Sequence, residues 1–265
     1  TMRLATWNIN SIRARAPRAI ALLERENLDV LALQETKCKN DQFPVEPFAE
    51  AGYEVAMTGV NQWNGVAVIS RLPIVDVQVG FPGQPVWVGN RTVEARAIGV
   101  TVEPEDGGPV TVWSLYIPNG RELDDPHYDY KLDFLAALAT YAANTLESDP
   151  NVKMAFVGDW NVAPLDEDVW DMDFFEGKTH VSGPERAGIA AIEDSGFKEV
   201  TRDLVDNYTY WDYQRLRFPK NEGMRIDFIF ASPALAKTVV SAQIDRDERK
   251  GKGASDHVPV IAQFD

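Results

Sequence analysis

The apolar run Met154-Ala155-Phe156-Val157 ends in Gly158-Asp159-Trp160-Asn161, a turn that offers a carboxylate and an amide two residues apart. Three further polar clusters lie at the ends of strand-like segments. They are Asn8 after Leu4-Ala5-Thr6-Trp7, Gln34-Glu35-Thr36-Lys37 after Val30-Leu31-Ala32-Leu33, and Ser255-Asp256-His257 before Val258-Pro259-Val260-Ile261. Carboxylates, amides and one imidazole presented from several strand ends suit metal-assisted hydrolysis of a phosphate ester, because metal, water and phosphate must be held close together. Each cluster taken alone also has an ordinary explanation: Asp-x-Asn is a common turn composition, and a glutamate at a strand end is often a cap or a solvated group.

Asp227 stands apart because it lies between Ile226 and Phe228 in the strand Arg225-Ile226-Asp227-Phe228-Ile229-Phe230. A carboxylate entering an apolar strand needs a partner or it is neutralised. His257 is the natural partner, since an Asp-His pair orients the imidazole and favours its protonated form, placing a cation beside a scissile phosphate. The other two histidines, His127 and His180, have no comparable setting. Glu35 is the best single ligand for a hard divalent cation, and Asp256 is another.

The elements that must carry these residues alternate between strand and helix. Strands are predicted at 3–9, 30–33, 66–69, 154–157, 227–231, 239–244 and 258–264, and 93–102 pairs with 110–117 across Asp106-Gly107-Gly108. A helix is expected from Pro17, where proline suits the first turn, to Asn27. Leu132, Leu135, Ala139, Ala142 and Leu146 recur at helical spacing over 130–146, and another helix spans 184–195, stopped by Gly196. Tight hairpins argue for antiparallel pairing and the intervening helices for faces that need cover. Two sheets packed face to face with helices outside satisfy both demands. A purely parallel doubly wound sheet is disfavoured because no Gly-rich phosphate loop follows any strand.

At 265 residues, with 45% hydrophobic residues and no linker or internal repeat, the chain is expected to form one domain over 1–265. One cysteine, Cys38, excludes a disulfide framework, no stretch is apolar enough to span a membrane, and no signal-peptide pattern opens the chain. A reducing cytosol is the expected compartment, and Thr1 ahead of Met2 reads as an addition to the natural start. The net charge of −15 opposes bulk attraction to a nucleic acid. Locally the sign reverses. Arg13, Arg15 and Arg18 have no acid between them, and the segment from Tyr208 to Arg225 interleaves Arg215, Arg217 and Lys220 with Tyr208, Tyr210, Trp211, Tyr213 and Phe218. Basic groups track a phosphate backbone and aromatics stack on bases or sugars, which makes this loop the candidate nucleic-acid contact. An ordinary surface loop over a satellite core competes with that reading.

Taken in order, these clusters resemble the exonuclease III family of the endonuclease/exonuclease/phosphatase superfamily. The resemblance runs through Arg3-Leu4-Ala5-Thr6-Trp7-Asn8, Leu33-Gln34-Glu35-Thr36-Lys37, Leu115-Tyr116-Ile117-Pro118-Asn119-Gly120, Gly158-Asp159-Trp160-Asn161, Tyr210-Trp211-Asp212-Tyr213, Arg225-Ile226-Asp227 and Ser255-Asp256-His257. It implies a four-layered α/β sandwich and an enzyme that hydrolyses phosphodiesters 5′ to abasic sites and at 3′ ends of duplex DNA. It further implies that Glu35 binds Mg²⁺ or Mn²⁺ with Asn8 and Asn10 nearby, and that Asp159 activates water. Asn161 would stabilise the transition state, Tyr116 would lie against the phosphate, and Asp227 would support His257. Asp159, Asn161 and Asp256 would form the other metal position proposed for the family. DNA contacts are expected from His257, Lys37, Arg91 and Arg121 and from the loop cations, with Tyr210, Trp211, Met224 and Ile226 around an abasic sugar. Ser11 and Trp160 depart from the family's usual glycine and smaller apolar residue, and Met224 replaces bulkier residues beside the sugar pocket.

Three rivals remain at this level. Inositol-phosphate phosphatases and sphingomyelinases share the Asp-x-Asn and Asp-His elements, and some relatives bind RNA or protein without cutting. A purely structural domain would leave Asp227 unexplained. The expected partner is duplex DNA, the expected state a monomer.

Overall fold

The strands of this chain are short, and many of them are buried on both faces. In the computed structural model, which describes residues 1–265, β1 (Met2–Asn8), β2 (Val30–Gln34), β4 (Val66–Ser70), β8 (Met154–Asp159) and β10 (Asp227–Ala231) have scarcely an exposed residue. A strand with two apolar faces must be covered on both, which calls for layers. The remaining strands are β3 (Glu54–Thr58), β5 (Ile74–Val79), β6 (Ala97–Val102), β7 (Val110–Tyr116), β9 (Lys198–Glu199), β11 (Val239–Ile244) and β12 (Val260–Phe264).

Two mixed six-stranded sheets result, in the orders β11-β12-β1-β2-β4-β3 and β5-β6-β7-β8-β10-β9. Each has one parallel pair at its centre, β1 with β2 and β7 with β8, and its other pairs are antiparallel. A parallel pair needs a crossover. These are supplied by α1 (Ile12–Arg25) and by α3 (Pro126–Ser148), while α2 (Val45–Glu50), α4 (Met172–Phe175), α5 (Gly183–Asp194) and α6 (Pro233–Ala236) fill other connections. Between the sheets, Leu4, Val30 and Val68 of one meet Val100, Val112 and Ile229 of the other. Outside them, Leu22 and Leu23 of α1 cover Leu31 and Leu33, and Phe134 and Leu138 of α3 cover Trp113 and Phe156. The four-layered sandwich inferred from sequence is the observed architecture.

Boundaries differ where a local signal misleads. The first helix begins at Ile12, five residues before Pro17, because the Ser11 side chain accepts from the Ala14 N–H and caps it; a kink at Arg15 then admits the proline. Residues 93–96 lie outside β6, and β12 starts at Val260 rather than Val258. Strands β3 and β5 lie at sheet edges, β3 with two buried residues and β5 with none, so their apolar pattern is too thin to read as strand.

Candidate active site

Register brings the polar strand ends to one side of the sandwich. Asp159 pairs with Tyr116 on the parallel neighbour and with Asp227 on the antiparallel one, while Asn8 pairs with Gln34 in the other sheet. Gly158 makes the first of these pairings possible: its φ is +150°, and a Cβ there would sit 1.9 Å from the Leu115 carbonyl oxygen. Gln34 is wholly buried and bridges the sheets, donating to Thr6 and Ser114 hydroxyls at 3.0 Å each.

One hydrogen-bond chain spans the cleft. The Asn8 amide donates to Glu35 Oε1 at 2.9 Å and to Asp159 Oδ2 at 3.0 Å, joining residues from opposite sheets. His257 Nδ1 lies 2.8 Å from Asp227 Oδ2, and its Nε2 lies 3.4 Å from Asp159 Oδ2. The Ser255 hydroxyl holds this segment by donating to the Asn8 carbonyl at 2.7 Å. The Asn161 backbone N–H donates to Asp159 Oδ1 at 3.0 Å, and one amide hydrogen goes to the Ile117 carbonyl at 2.8 Å, leaving a second free. Lys37 faces Glu35 at 3.3 Å and donates to Asn10 Oδ1 at 2.6 Å. Arg96 lies over the Tyr116 ring.

Electrostatics divides the labour among these groups. Burial pushes Asp159 up to about 7, with Asp227 and Glu35 acting the same way against His257 and Asn8. Burial by itself would lower His257, but the carboxylates of Asp227 and Asp159 outweigh it and hold the imidazole well above its ordinary value. Burial would likewise raise Glu35, yet the Asn8 amide, the Lys37 ammonium and the Tyr116 hydroxyl hold it lowered, and so anionic. Burial raises Asp256 and, more strongly, Tyr116.

The charge inventory fits a divalent cation. Glu35, Asp159, Asp227 and Asp256 gather around two close cations, Lys37 and the protonated His257, and one buried Asp227 oxygen, Oδ1, has no hydrogen-bond partner. Hard carboxylate oxygens in excess over basic groups are the donor set for Mg²⁺-like ions. Asp159, Asp227 and His257 present ligand atoms within 4.8 Å of one another. Both ring nitrogens already face carboxylates, however, so this trio is better described as a proton relay, with Glu35 the cleft carboxylate that does not face the imidazole. The Asn8 Oδ1 accepts from the Asn10 N–H at 3.1 Å, which makes Asn8 an orienter of the two carboxylates it bridges.

With this geometry in view, residues 5–257 match the Endonuclease/Exonuclease/phosphatase family. The chain belongs to that family. It is 31% identical over 274 residues to exodeoxyribonuclease III of Haemophilus influenzae, covering 99% of this chain and 100% of that one. It is 30% identical to an exodeoxyribonuclease of Bacillus subtilis, covering 98% of each. Among solved structures, the 3′ phosphatase NExo from Neisseria, bound to a product DNA hairpin, superposes with a TM-score of 0.90 at 33% identity. An AP endonuclease from Archaeoglobus fulgidus gives 0.90 at 32%, both over 100% of each chain.

Outside this family core, the sequence-derived contacts separate into two groups. Arg91, Arg121 and Arg215 are exposed, all at positive φ, on loops. Lys220 is exposed but paired with Glu222 at 2.9 Å. Tyr210 is half-buried, its ring centroid 5.0 Å from that of His257, with Met224 and Ile226 buried beside it. Two expectations need correction. Trp211 is fully buried, its indole donating to Asn221 Oδ1 at 3.1 Å and its ring packed on Phe218, so it supports the loop from within. Arg217 is turned onto Trp170 and Phe174 and paired with Glu222 at 3.1 Å. Trp160, unusual in size for its position, is absorbed by the core, where its indole donates to the Phe228 carbonyl at 3.2 Å.

His180 was passed over in the sequence and belongs beside the site. It is buried at φ +79°, with Nε2 3.3 Å from Asn161 Oδ1, and burial together with Lys131 holds it well below its ordinary value, hence neutral. With Asn119, Arg121, Phe175 and Met224 it lines a cavity of about 560 Å³. No apolar periodicity or motif marks it; only the scarcity of histidine could have prompted attention.

Proposed function

We propose that this cleft hydrolyses phosphodiesters of duplex DNA at 3′ ends and 5′ to abasic sites, leaving a 3′ hydroxyl, with Mg²⁺ or Mn²⁺ as the working cation. The chain is a DNA repair nuclease of the exodeoxyribonuclease III and AP endonuclease type, and a phosphodiester hydrolase. The observation that carries this reading is the buried Asp227-His257-Asp159 relay facing Glu35 across the Asn8 amide.

A bound divalent ion supplies stabilisation of the charge that develops on phosphate and leaving-group oxygens. Glu35, with Asp159, Asn161 and Asp256 as further donors, would hold it. Asp159, raised by burial, takes the proton from the attacking water. The protonated Nε2 of His257 and the free amide hydrogen of Asn161 donate to nonbridging oxygens, and Asp227 keeps the imidazolium oriented and charged. Tyr116, whose hydroxyl burial keeps protonated, donates from the strand beside Asp159. Tyr210, Met224 and Ile226 border the deoxyribose, while Lys37, Arg91, Arg121, Arg215 and Lys220 engage backbone phosphates. Binding without cleavage would leave the complete relay unused, and hydrolysis of a soluble phosphate ester is separated by comparing it with an abasic duplex as substrate. The enzyme works as a monomer of one domain in the cytosol; no helix is long and apolar enough to cross a membrane.

The test is Asp159→Asn on an end-labelled duplex carrying one abasic site, beside a duplex with a blocked 3′ end, each with and without chelator. Loss of the proton acceptor lowers turnover roughly 10²- to 10⁴-fold. Near-normal cleavage by the variant, or cleavage that persists in chelator, refutes the assignment.

A further inference from the structure

Beneath the cleft lies an ion pair that touches none of the reacting atoms. Lys131, on the inner face of α3, and Glu185, in the first turn of α5, are both wholly buried and bonded to each other. Removing two charges from water is costly unless every polar atom finds a partner. Here each does. Besides Glu185, the Lys131 ammonium donates to the Asn119 carbonyl at 3.1 Å and to the Asn161 carbonyl at 2.5 Å. Glu185 also accepts from the Ser182 hydroxyl at 2.7 Å and the His180 backbone N–H at 2.9 Å. The lysine stem passes under Gly120, where a Cβ would come within 3.0 Å of Lys131 Cδ.

Three loops therefore converge on one buried ammonium and its carboxylate. Asn161 is among the residues they fix, and its backbone is in the left-handed region at φ +50°. Asparagine tolerates that conformation better than other residues with a side chain, and the bonds from Lys131 and Asp159 to the Asn161 backbone select it here. The backbone at φ +50° sets the point from which the Asn161 side chain starts, and its amide is held at the far end by the Ile117 carbonyl at 2.8 Å and His180 Nε2 at 3.3 Å. A pair needed for stability alone could be replaced by apolar side chains of similar volume, and such a replacement would leave the Asn161 carbonyl without its donor.

We propose that Lys131 is a positioning residue for phosphodiester hydrolysis: by holding the Asn161 carbonyl against α3 and α5, it sets the direction in which the Asn161 amide meets the phosphate. This rests on the role assigned to Asn161 above. The experiment compares Lys131→Met, the double variant Lys131→Met/Glu185→Leu, and Leu138→Ala, a core truncation on the same helix, each assayed well below its own Tm. Lys131→Met is expected to lose roughly 10²-fold in kcat, the scale of a misplaced catalytic group, with KM little changed. The double variant removes the stranded carboxylate and regains Tm but not kcat, whereas Leu138→Ala loses Tm and keeps kcat. The Asn161 side-chain amide resonance moves in both Lys131 variants and stays in place in Leu138→Ala. Recovery of kcat together with Tm in the double variant, an unmoved amide resonance, or an equal kcat loss in Leu138→Ala overturns the proposal. Failure of the wild-type protein to cleave would instead refute the nuclease reading, and the amide resonance would still decide whether Lys131 positions Asn161.

Discussion

Replacing Asp227 by asparagine keeps the volume of the side chain and removes its charge, which isolates what the relay contributes. Asp227 Oδ2 is 2.8 Å from Nδ1 of His257, and Asp159 Oδ2 is 3.4 Å from Nε2. At an effective dielectric of about 20, unit charges at those separations attract by about 6 and about 5 kcal/mol, so Asp227 supplies roughly half of the field that keeps the imidazole protonated. Some of this is offset because the variant no longer buries a carboxylate, leaving the roughly 3–5 kcal/mol lost when one partner of a buried pair is removed. That loss falls on stability; on turnover, weakening His257 as a donor to the phosphate has the scale of removing one such donor, roughly 10²- to 10³-fold. Single-turnover cleavage of a labelled duplex measures this directly, and an NMR titration of the His257 ring checks the cause, since its pKa must fall in the variant. Wild-type turnover, or lost turnover with an unchanged His257 titration, would refute the relay as described.

Further outcomes follow from the same geometry. Asp159 rises from 3.8 to about 7 on folding, and His257 rises above 6.5. Each therefore stabilises the protein at pH below its ordinary value and loses that contribution as pH climbs through the folded one. Added Mg²⁺ should raise Tm more at pH 8 than at pH 5, and an equal rise at both, by scanning calorimetry, would contradict this account. Gly158→Ala forces a Cβ onto the Leu115 carbonyl between β7 and β8 and should cost roughly 3 kcal/mol or more; an unchanged urea midpoint would show that the strand pair yields. With a net charge of −15, the proposed DNA binding would rest on a few exposed loop cations, so cleavage should decline steeply with rising salt. A flat salt profile measured on the abasic duplex would count against backbone neutralisation as the source of affinity.

The chemistry of the site was legible because it is local. Apolar runs that stop at Asn8, Glu35 and Asp159 identify strand ends, and a carboxylate inside an apolar strand at Asp227 demands a cation such as His257 whatever the fold. The layered architecture followed from the alternation of such runs with amphipathic helices. What only the tertiary structure decided depends on distance across the chain. The bond from Asn8 to Asp159 joins residues 151 apart and exists because two sheets pack face to face. Nothing in the sequence sets Lys131 and Glu185 apart from other charges in helical segments, His180 has only the rarity of histidine to mark it, and Trp211 stands among the aromatics of a candidate contact loop; packing buries all four. Local sequence sets which groups a segment can offer, but burial depends on what the rest of the chain lays over that segment. The same ammonium is a solvated charge on an exposed helix face and a three-way tether when three loops close over it.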